Sequence, residues 1–287
     1  MQDGNDGFNY YDAEFHARKP DSKFYNINPS TEKPIGEFPI TSSDEVSHVC
    51  ESAKKAFKEW RQVSRFKRGE YLLRVAEIVE KRKEELATAI SLETGKNYNE
   101  SVAEVNEALH MAQYAFSLGK MPYGEAVASE ISEKDSYMLR KPKGLVAIIS
   151  PWNFPLAIGA FWCAAPALVE GNTVVIKPSE DAPLSTQLAV EIYHDAGIPA
   201  GVLNLVHGGA RAGDWLVKAD VDHICFTGSA EVGQHIRKAC ADTWNKTCSC
   251  ELGSKSAVIV FDDANFDMAV SACIASSFKL SGQRCVS

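Results

Sequence analysis

The 287-residue sequence has no apolar run long enough to cross a bilayer. Its longest mostly apolar stretch, Ala157 to Val169, carries Pro166 near its end and suits a buried helix better than a membrane span. No apolar core of a secretory signal is visible in residues 1–23, which are rich in Asp, Asn and Gly, so a cytoplasmic location and no membrane partner are expected. Basic charge is in deficit: 30 Lys and Arg stand against 38 Asp and Glu, a net charge of −8 that disfavours nucleic acid as a ligand. Internal repeats and low-complexity segments are absent too. The eight cysteines lack the density and spacing of a disulfide scaffold or a zinc site, which leaves most of them as small buried hydrophobes in a reducing compartment and predicts no metal. What is present, 45% hydrophobic and 24% charged residues, is the composition of a globular chain able to bury one large core or two domains.

Residues 1–23 read as a polar, disordered tail. Phe24 to Phe38 is extended, with Asn28-Pro29 and Pro34-Ile35-Gly36 breaking any helix. Helical spacing of Val46, Val49, Cys50, Ala53 and Phe57 follows the caps Ser42 and Ser43, recurs from Ser64 to Thr94 until Gly95, and returns from Asn99 to Leu118. Ser129 to Lys143 reads as short strands centred on Tyr137-Met138-Leu139. From Gly144 strands and helices alternate. Strands are predicted at Leu145–Ile149, Thr173–Ile176, Val202–Val206, His223–Phe226, Thr247–Glu251 and Ala257–Phe261, and the last helix at Phe266–Lys279. That alternation predicts an α/β fold with a parallel sheet covered on both faces, whose ligands lie at the carboxyl ends of the strands.

Five motifs fall at such ends or in the loops that follow. Phe226-Thr227-Gly228-Ser229 precedes a helix with Gly233 in its first turn. It reads either as a phosphate cradle or as an ordinary turn capped by Ser229. Lys177-Pro178-Ser179-Glu180 places an amine and a carboxylate where they can meet a ribose; the same residues also make a solvated turn. A carboxylate at Glu180 would repel a 2′-phosphate and favours NAD over NADP. Asn153, stiffened between Pro151 and Pro155, is a helix cap or a positioned amide donor for an oxyanion. Glu251 is an exposed loop charge or a buried general base. Cys285, after Gly282-Gln283-Arg284, is a structural thiol or a nucleophile favoured by the neighbouring arginine. A thiol that attacks a carbonyl, an amide that holds the oxyanion and a carboxylate that activates water together suit covalent chemistry on an aldehyde or acyl group.

In their order, Pro151-Trp152-Asn153-Phe154-Pro155, Lys177-Pro178-Ser179-Glu180, Phe226-Thr227-Gly228-Ser229, Glu251-Leu252-Gly253-Ser254-Lys255 and Gly282-Gln283-Arg284-Cys285 closely resemble the aldehyde dehydrogenase superfamily. The resemblance runs from Asn28-Pro29 to the last residue. It implies a Rossmann-like dinucleotide-binding domain over 24–126 and 144–252, bridging and oligomerisation strands at 127–143, and the start of a catalytic domain at 253–287. It implies Cys285 as nucleophile, Glu251 as the base for hydrolysis, and Asn153 with the Cys285 amide as oxyanion donors. For the cofactor, NAD with NADP as the alternative, it implies Lys177 and Glu180 at the adenosine ribose, with Ser179 beside them. Gly228, Ser229 and Gly233 fall at the pyrophosphate, and Ile149, Ser150, Pro151, Trp152 and Leu252 along the border. Phe154, Ile158 and Phe161 are implied to line the tunnel of a small aldehyde substrate.

Two departures accompany it. Ser254 stands where the family usually has a second glycine, and the family's Glu-x-Phe-Gly-Pro segment, most of its catalytic domain and its C-terminal oligomerisation strand are not among these residues. The expectation is therefore an NAD-dependent aldehyde dehydrogenase, a homo-oligomer at full length, with no steady-state activity from these 287 residues alone. The alternatives are acyl transfer to coenzyme A and a non-catalytic dinucleotide-binding or assembly fragment.

Overall fold

The aromatic-rich segment Phe8-Asn9-Tyr10-Tyr11 forms the first strand, β1 (Phe8–Tyr11), which turns back into β2 (Glu14–Ala17). The computed structural model describes residues 6–17 and 22–285. A second hairpin, β3 (Lys23–Asn28) and β4 (Lys33–Pro39), leads into four helices. These are α1 (Ser43–Trp60), α2 (Arg65–Lys81), α3 (Lys83–Thr94) and α4 (Tyr98–Leu118). The exposed hairpin β5 (Gly124–Val127) and β6 (Ser136–Leu139) follows. Then come β7 (Leu145–Ile149), a π-helix (Ala157–Cys163) running into α5 (Ala164–Val169), and β8 (Thr173–Lys177). The chain continues through α6 (Leu184–Asp195), β9 (Leu203–Leu205), α7 (Ala210–Lys218) and β10 (His223–Thr227). It ends with α8 (Ala230–Ala241), β11 (Thr247–Glu251), α9 (Phe266–Phe278) and a short 3₁₀ turn (Lys279–Gly282).

The main sheet has the order β11-β10-β7-β8-β9-β1-β2. Its five strands from β11 to β9 are parallel, and β1 joins β9 antiparallel through Tyr10 and Leu205. The chain lays down β7, β8 and β9 in one direction and then crosses to the other side of β7 for β10. The neighbours β7 and β10 therefore diverge in connectivity, and the crevice above their carboxyl ends is a topological switch point. One core, with Val146, Ile148, Val174 and Ile176, lies under α2 to α6 and the π-helix. The other, with Leu145, Ala147, Val175 and Ile224, lies under α1, α7 and α8. Burial on both faces is why these strands are continuously apolar.

Several expectations are corrected. The expected N-terminal tail contains β1 and β2: Tyr10 is 2% exposed and its hydroxyl meets His194 Nδ1 at 3.0 Å, so the segment closes the edge of the sheet. Residues 1–5 and 18–21 of that stretch lie outside the described residues. The helical run from Ser64 to Thr94 is two helices broken at Arg82, whose guanidinium is drawn to Glu85 and Glu191 while the apolar spacing continues past it. The hairpin of β5 and β6 starts at Gly124, ahead of the stretch expected for bridging strands. Ala257 to Phe261 is not a strand; Val258, Ile259 and Phe261 are exposed, and β-prone side chains without a neighbouring strand do not make one. No helix among the described residues is long and apolar enough to cross a membrane.

Candidate active site

The loop after β7 is held from three sides. The Ser150 amide donates to the Lys177 carbonyl at 3.1 Å and extends the β7–β8 ladder by one residue. Thr186 Oγ1 donates to the Pro155 carbonyl at 2.6 Å. Glu104 Oε1, reaching from α4, accepts from the Leu156 and Ala157 amides at 2.9 and 3.1 Å. Those two donors open the π-helix and have no carbonyl of their own turn to meet, so a carboxylate satisfies them and faces the positive end of the helix. Glu104 is itself paired with Lys96 at 2.8 Å, both side chains fully buried, and the Lys96 ammonium lies 4.1 Å from the centre of the Phe154 ring. Burial pushes the Glu104 carboxyl up and Lys96 pulls it back down.

Asn153 projects from this braced loop. Its Nδ2 donates to the Gln283 carbonyl at 2.9 Å. Gln283 Nε2 donates in turn to the Thr94 carbonyl at 3.2 Å, and the Leu280 amide donates to Glu100 Oε1 at 2.7 Å. The segment carrying Cys285 is thus tied to α3, α4 and the Asn153 loop. Leu280, Ser281 and Gly282 all have positive φ, of 56°, 54° and 69°, a left-handed run that turns the chain sharply between α9 and Cys285. Cys285 is exposed, and so is Glu251 at the end of β11.

Beside Asn153 opens a groove of about 590 Å³ at the β7/β10 switch point. Nine of the expected cofactor residues line it: Ile149, Ser150, Pro151, Trp152, Lys177, Ser179, Glu180, Gly228 and Ser229. Lys177 is 4% exposed; its Nζ donates to the carbonyls of Pro178 and Gly208, both at 2.6 Å, and stands 3.8 Å from Glu180 Oε2. Burial lowers its pKa to about 8, against the pull of Glu180 and Asp181. Two donors of the ammonium are spent on carbonyls, which leaves one for the groove. The Gly228 amide continues the β10–β11 ladder by donating to the Glu251 carbonyl at 3.0 Å. Gly228 matters for space instead, because a Cβ there would stand 2.5 Å from Cζ of Phe226, a ring that also lines the groove. Ser229 caps the 12-residue helix α8 by accepting from the Val232 amide at 3.3 Å, and Ser229, Glu231 and Val232 at the start of that helix line the groove.

Gly233 and Leu252 are not on the groove wall. They meet each other: a Cβ at Gly233 would lie 2.4 Å from Leu252 Cδ2, so this glycine lets α8 sit down on the end of β11. Of the residues expected at the substrate, Phe154 is 7% exposed and stacked on Trp162, and Ile158 is 4% exposed. Phe161 is wholly buried, 5.7 Å from the Tyr193 ring.

The sequence reading missed Lys96 and Glu104, as well as Asp214, Val232, His235 and Ile236, which complete the groove between α7 and α8. Glu104 left a trace: it is a carboxylate on the helix face that carries Val105, Ala108 and Ala112 into the core. Among the described residues no cluster of His, Cys, Asp and Glu could hold a metal ion.

Comparison with known proteins gives the family. The model of the aldehyde dehydrogenase family matches residues 15–287. Betaine aldehyde dehydrogenase of Bacillus subtilis (strain 168) is 38% identical over 280 residues, which is 96% of this chain and 57% of that protein. The NADP-dependent glyceraldehyde-3-phosphate dehydrogenase of Streptococcus equinus is 36% identical over 284 residues, 96% of this chain and 58% of its own length. A crystal structure of betaine aldehyde dehydrogenase from Staphylococcus aureus in complex with NAD+ superposes with a TM-score of 0.92 at 32% identity, covering 98% of this chain and 56% of the other. The chain thus spans somewhat more than half the length of these relatives.

Proposed function

Since this chain belongs to the aldehyde dehydrogenase family, we propose that it carries the cofactor site and nucleophile for oxidising an aldehyde to a carboxylic acid with NAD. The observation that carries the proposal is the convergence of three strand ends on one groove, with Asn153, the residue after the groove-lining Trp152, bonded two residues away from Cys285. The groove suits a dinucleotide. The first-turn amides of α8 would meet the pyrophosphate, the spare donor of Lys177 and the Glu180 carboxylate would meet the adenosine ribose, and Gly228 keeps the wall low. When bound, NAD would supply the hydride acceptor.

The chain's own residues would do the rest. The Cys285 thiolate adds to the aldehyde carbonyl. The Asn153 amide, which has a second N–H beyond the one given to Gln283, and the Cys285 backbone N–H hold the oxyanion. After hydride loss the acyl group remains on Cys285 as a thioester, and Glu251 takes a proton from the water that hydrolyses it. A carboxylate at position 251 favours water over coenzyme A as the acceptor, because a thiol needs less help from a base. The exposed Tyr137, Met138 and Leu139 of β6 support an assembly role for that hairpin.

The Glu180 carboxylate on the groove wall would repel a 2′-phosphate. Calorimetric titration of the 287-residue chain should show NAD binding more tightly than NADP. A folded sample that bound neither would remove the site assignment, and tighter NADP binding would remove the role of Glu180.

A further inference from the structure

Beyond Lys177 and Glu180 the groove runs out between α7 and α8, and its chemistry changes there. The start of α7 lies against the residues assigned to the ribose: a Cβ at Gly209 would stand 2.9 Å from Glu180 Oε1, and one at Gly213 would stand 3.6 Å from Lys177 Cε. One turn further along α7, Val217 is 2% exposed, and Ile236 of α8, in the same core cluster, is wholly buried. Both line the groove, together with Gly213 and Val232. Small and aliphatic side chains on two facing helices leave a slot suited to a flat, largely apolar group.

A charged pair bridges that slot. His235 Nε2 lies 3.1 Å from Asp214 Oδ1 and joins α8 to α7, while Lys218 Nζ donates to Asp214 Oδ2 at 2.7 Å. The Lys218 contact is an ordinary pair along one helix face; the His235 contact reaches across to the other helix, and Asp214 and His235 both line the groove. Each oxygen of the carboxylate has one partner, which sets the orientation of the group, and each keeps a second lone pair. The Lys218 hydrogen bond, with His235 adding to it, holds the Asp214 carboxyl below the usual carboxylate range. Asp214 therefore meets the groove as an acceptor that cannot donate.

We propose that the Asp214–His235 bridge selects the base of the dinucleotide, accepting a hydrogen bond from the 6-amino group of adenine and rejecting purines with a 6-oxo group. The inference rests on the dinucleotide reading of this groove. Adenine presents N–H at that position, whereas guanine and hypoxanthine present a carbonyl oxygen. A carboxylate attracts the first, and its lone pairs repel the second. The faces of the base would lie between Val217 and Ile236, with its edge at Asp214, so that Glu180 meets the sugar and Asp214 the base. Glu231, in the first turn of α8, is another carboxylate on the groove wall and the natural competitor for this role.

ADP and IDP share the ribose and the diphosphate and differ only in the base, so the ratio of their affinities isolates it. Calorimetric titration of the 287-residue chain at low salt and near neutral pH should show ADP binding about tenfold more tightly than IDP, the effect of one partly exposed hydrogen bond to a charged acceptor. Asp214→Asn, whose amide can offer either an oxygen or an N–H, should bring the ratio close to one in a sample with an intact circular dichroism spectrum. Equal binding of ADP and IDP by the wild type would overturn the proposal and leave the dinucleotide site standing. So would an Asp214→Asn protein that kept the wild-type ratio, or a Glu231→Gln protein that lost it. Binding of neither nucleotide to the folded chain would remove the dinucleotide site and the base selection together.

Discussion

The Asn153 side-chain amide donates to the Gln283 carbonyl at 2.9 Å and so ties the carboxyl end of β7 to the segment that presents Cys285. With the proposed roles, an amide in this place would both aim at a reacting carbonyl and set the position of the Cys285 loop. Asn153→Ala should therefore do two things. Amide hydrogen exchange across residues 280–285 should speed up in the chain as it stands, because a tie on that segment is gone. In a family-length enzyme carrying this chain, the first turnover should slow by about 100- to 1000-fold, the cost of one oxyanion donor. Unchanged exchange would separate Asn153 from Gln283, and an unchanged first turnover would end its role as donor.

The nucleophile and the base are distinguished by the same family-length enzyme in a rapid-mixing experiment. Cys285→Ala should abolish the burst of reduced cofactor, whereas Glu251→Gln should keep the burst and stall steady turnover, since only deacylation needs activated water. Normal steady turnover by Glu251→Gln would assign the base elsewhere.

Much of this arrangement was legible in the sequence, and the parts that were not share a cause. Strand and helix alternation from Gly144 onward gave the parallel sheet, because strands buried on both faces must be apolar throughout, and three of the five motifs fell at the strand ends where the groove opens. The β1–β2 hairpin escaped notice because its partner, β9, is about two hundred residues away in the chain and nothing local records that edge. The break at Arg82 was hidden because the apolar spacing runs through it. Gly233 was expected at the pyrophosphate, yet it is the approach of Leu252 that requires a glycine there. Lys96 and Glu104 were missed because a buried ion pair looks, in sequence, like two surface charges.

That pair yields a stability prediction. Lys96 and Glu104 are both fully buried and 2.8 Å apart, with Glu104 also satisfying two backbone amides. Glu104→Gln should leave the Lys96 ammonium without a counter-ion and cost about 3 to 5 kcal/mol in urea unfolding. The double change Lys96→Met with Glu104→Gln should recover a good part of that loss, because no buried charge remains unpaired. Additive losses in the double-mutant cycle would mean that the two groups do not act on one another.

Glu93 makes the last prediction, a pH dependence. It accepts from the Leu184 and Ser185 amides at 2.8 and 2.9 Å and from Asn26 Nδ2 at 3.0 Å, holding the start of α6 against α3. Burial raises its pKa from 4.5 to about 7, more than these hydrogen bonds lower it. Between those two values the native state holds a proton that the unfolded chain has released, so stability must fall as pH rises. The contribution is complete below the unfolded value and lost once pH passes the folded one. The window from 4.5 to about 7 corresponds to a loss on the order of 3 kcal/mol. Glu104 and Glu191 are shifted in the same direction, but they contribute equally to wild type and to Glu93→Gln and cancel in the comparison. Urea unfolding of both proteins near pH 5 and pH 7.5 should show wild type losing the larger share over this interval. Parallel pH profiles would mean that Glu93 is ionised throughout, its three donors outweighing its burial.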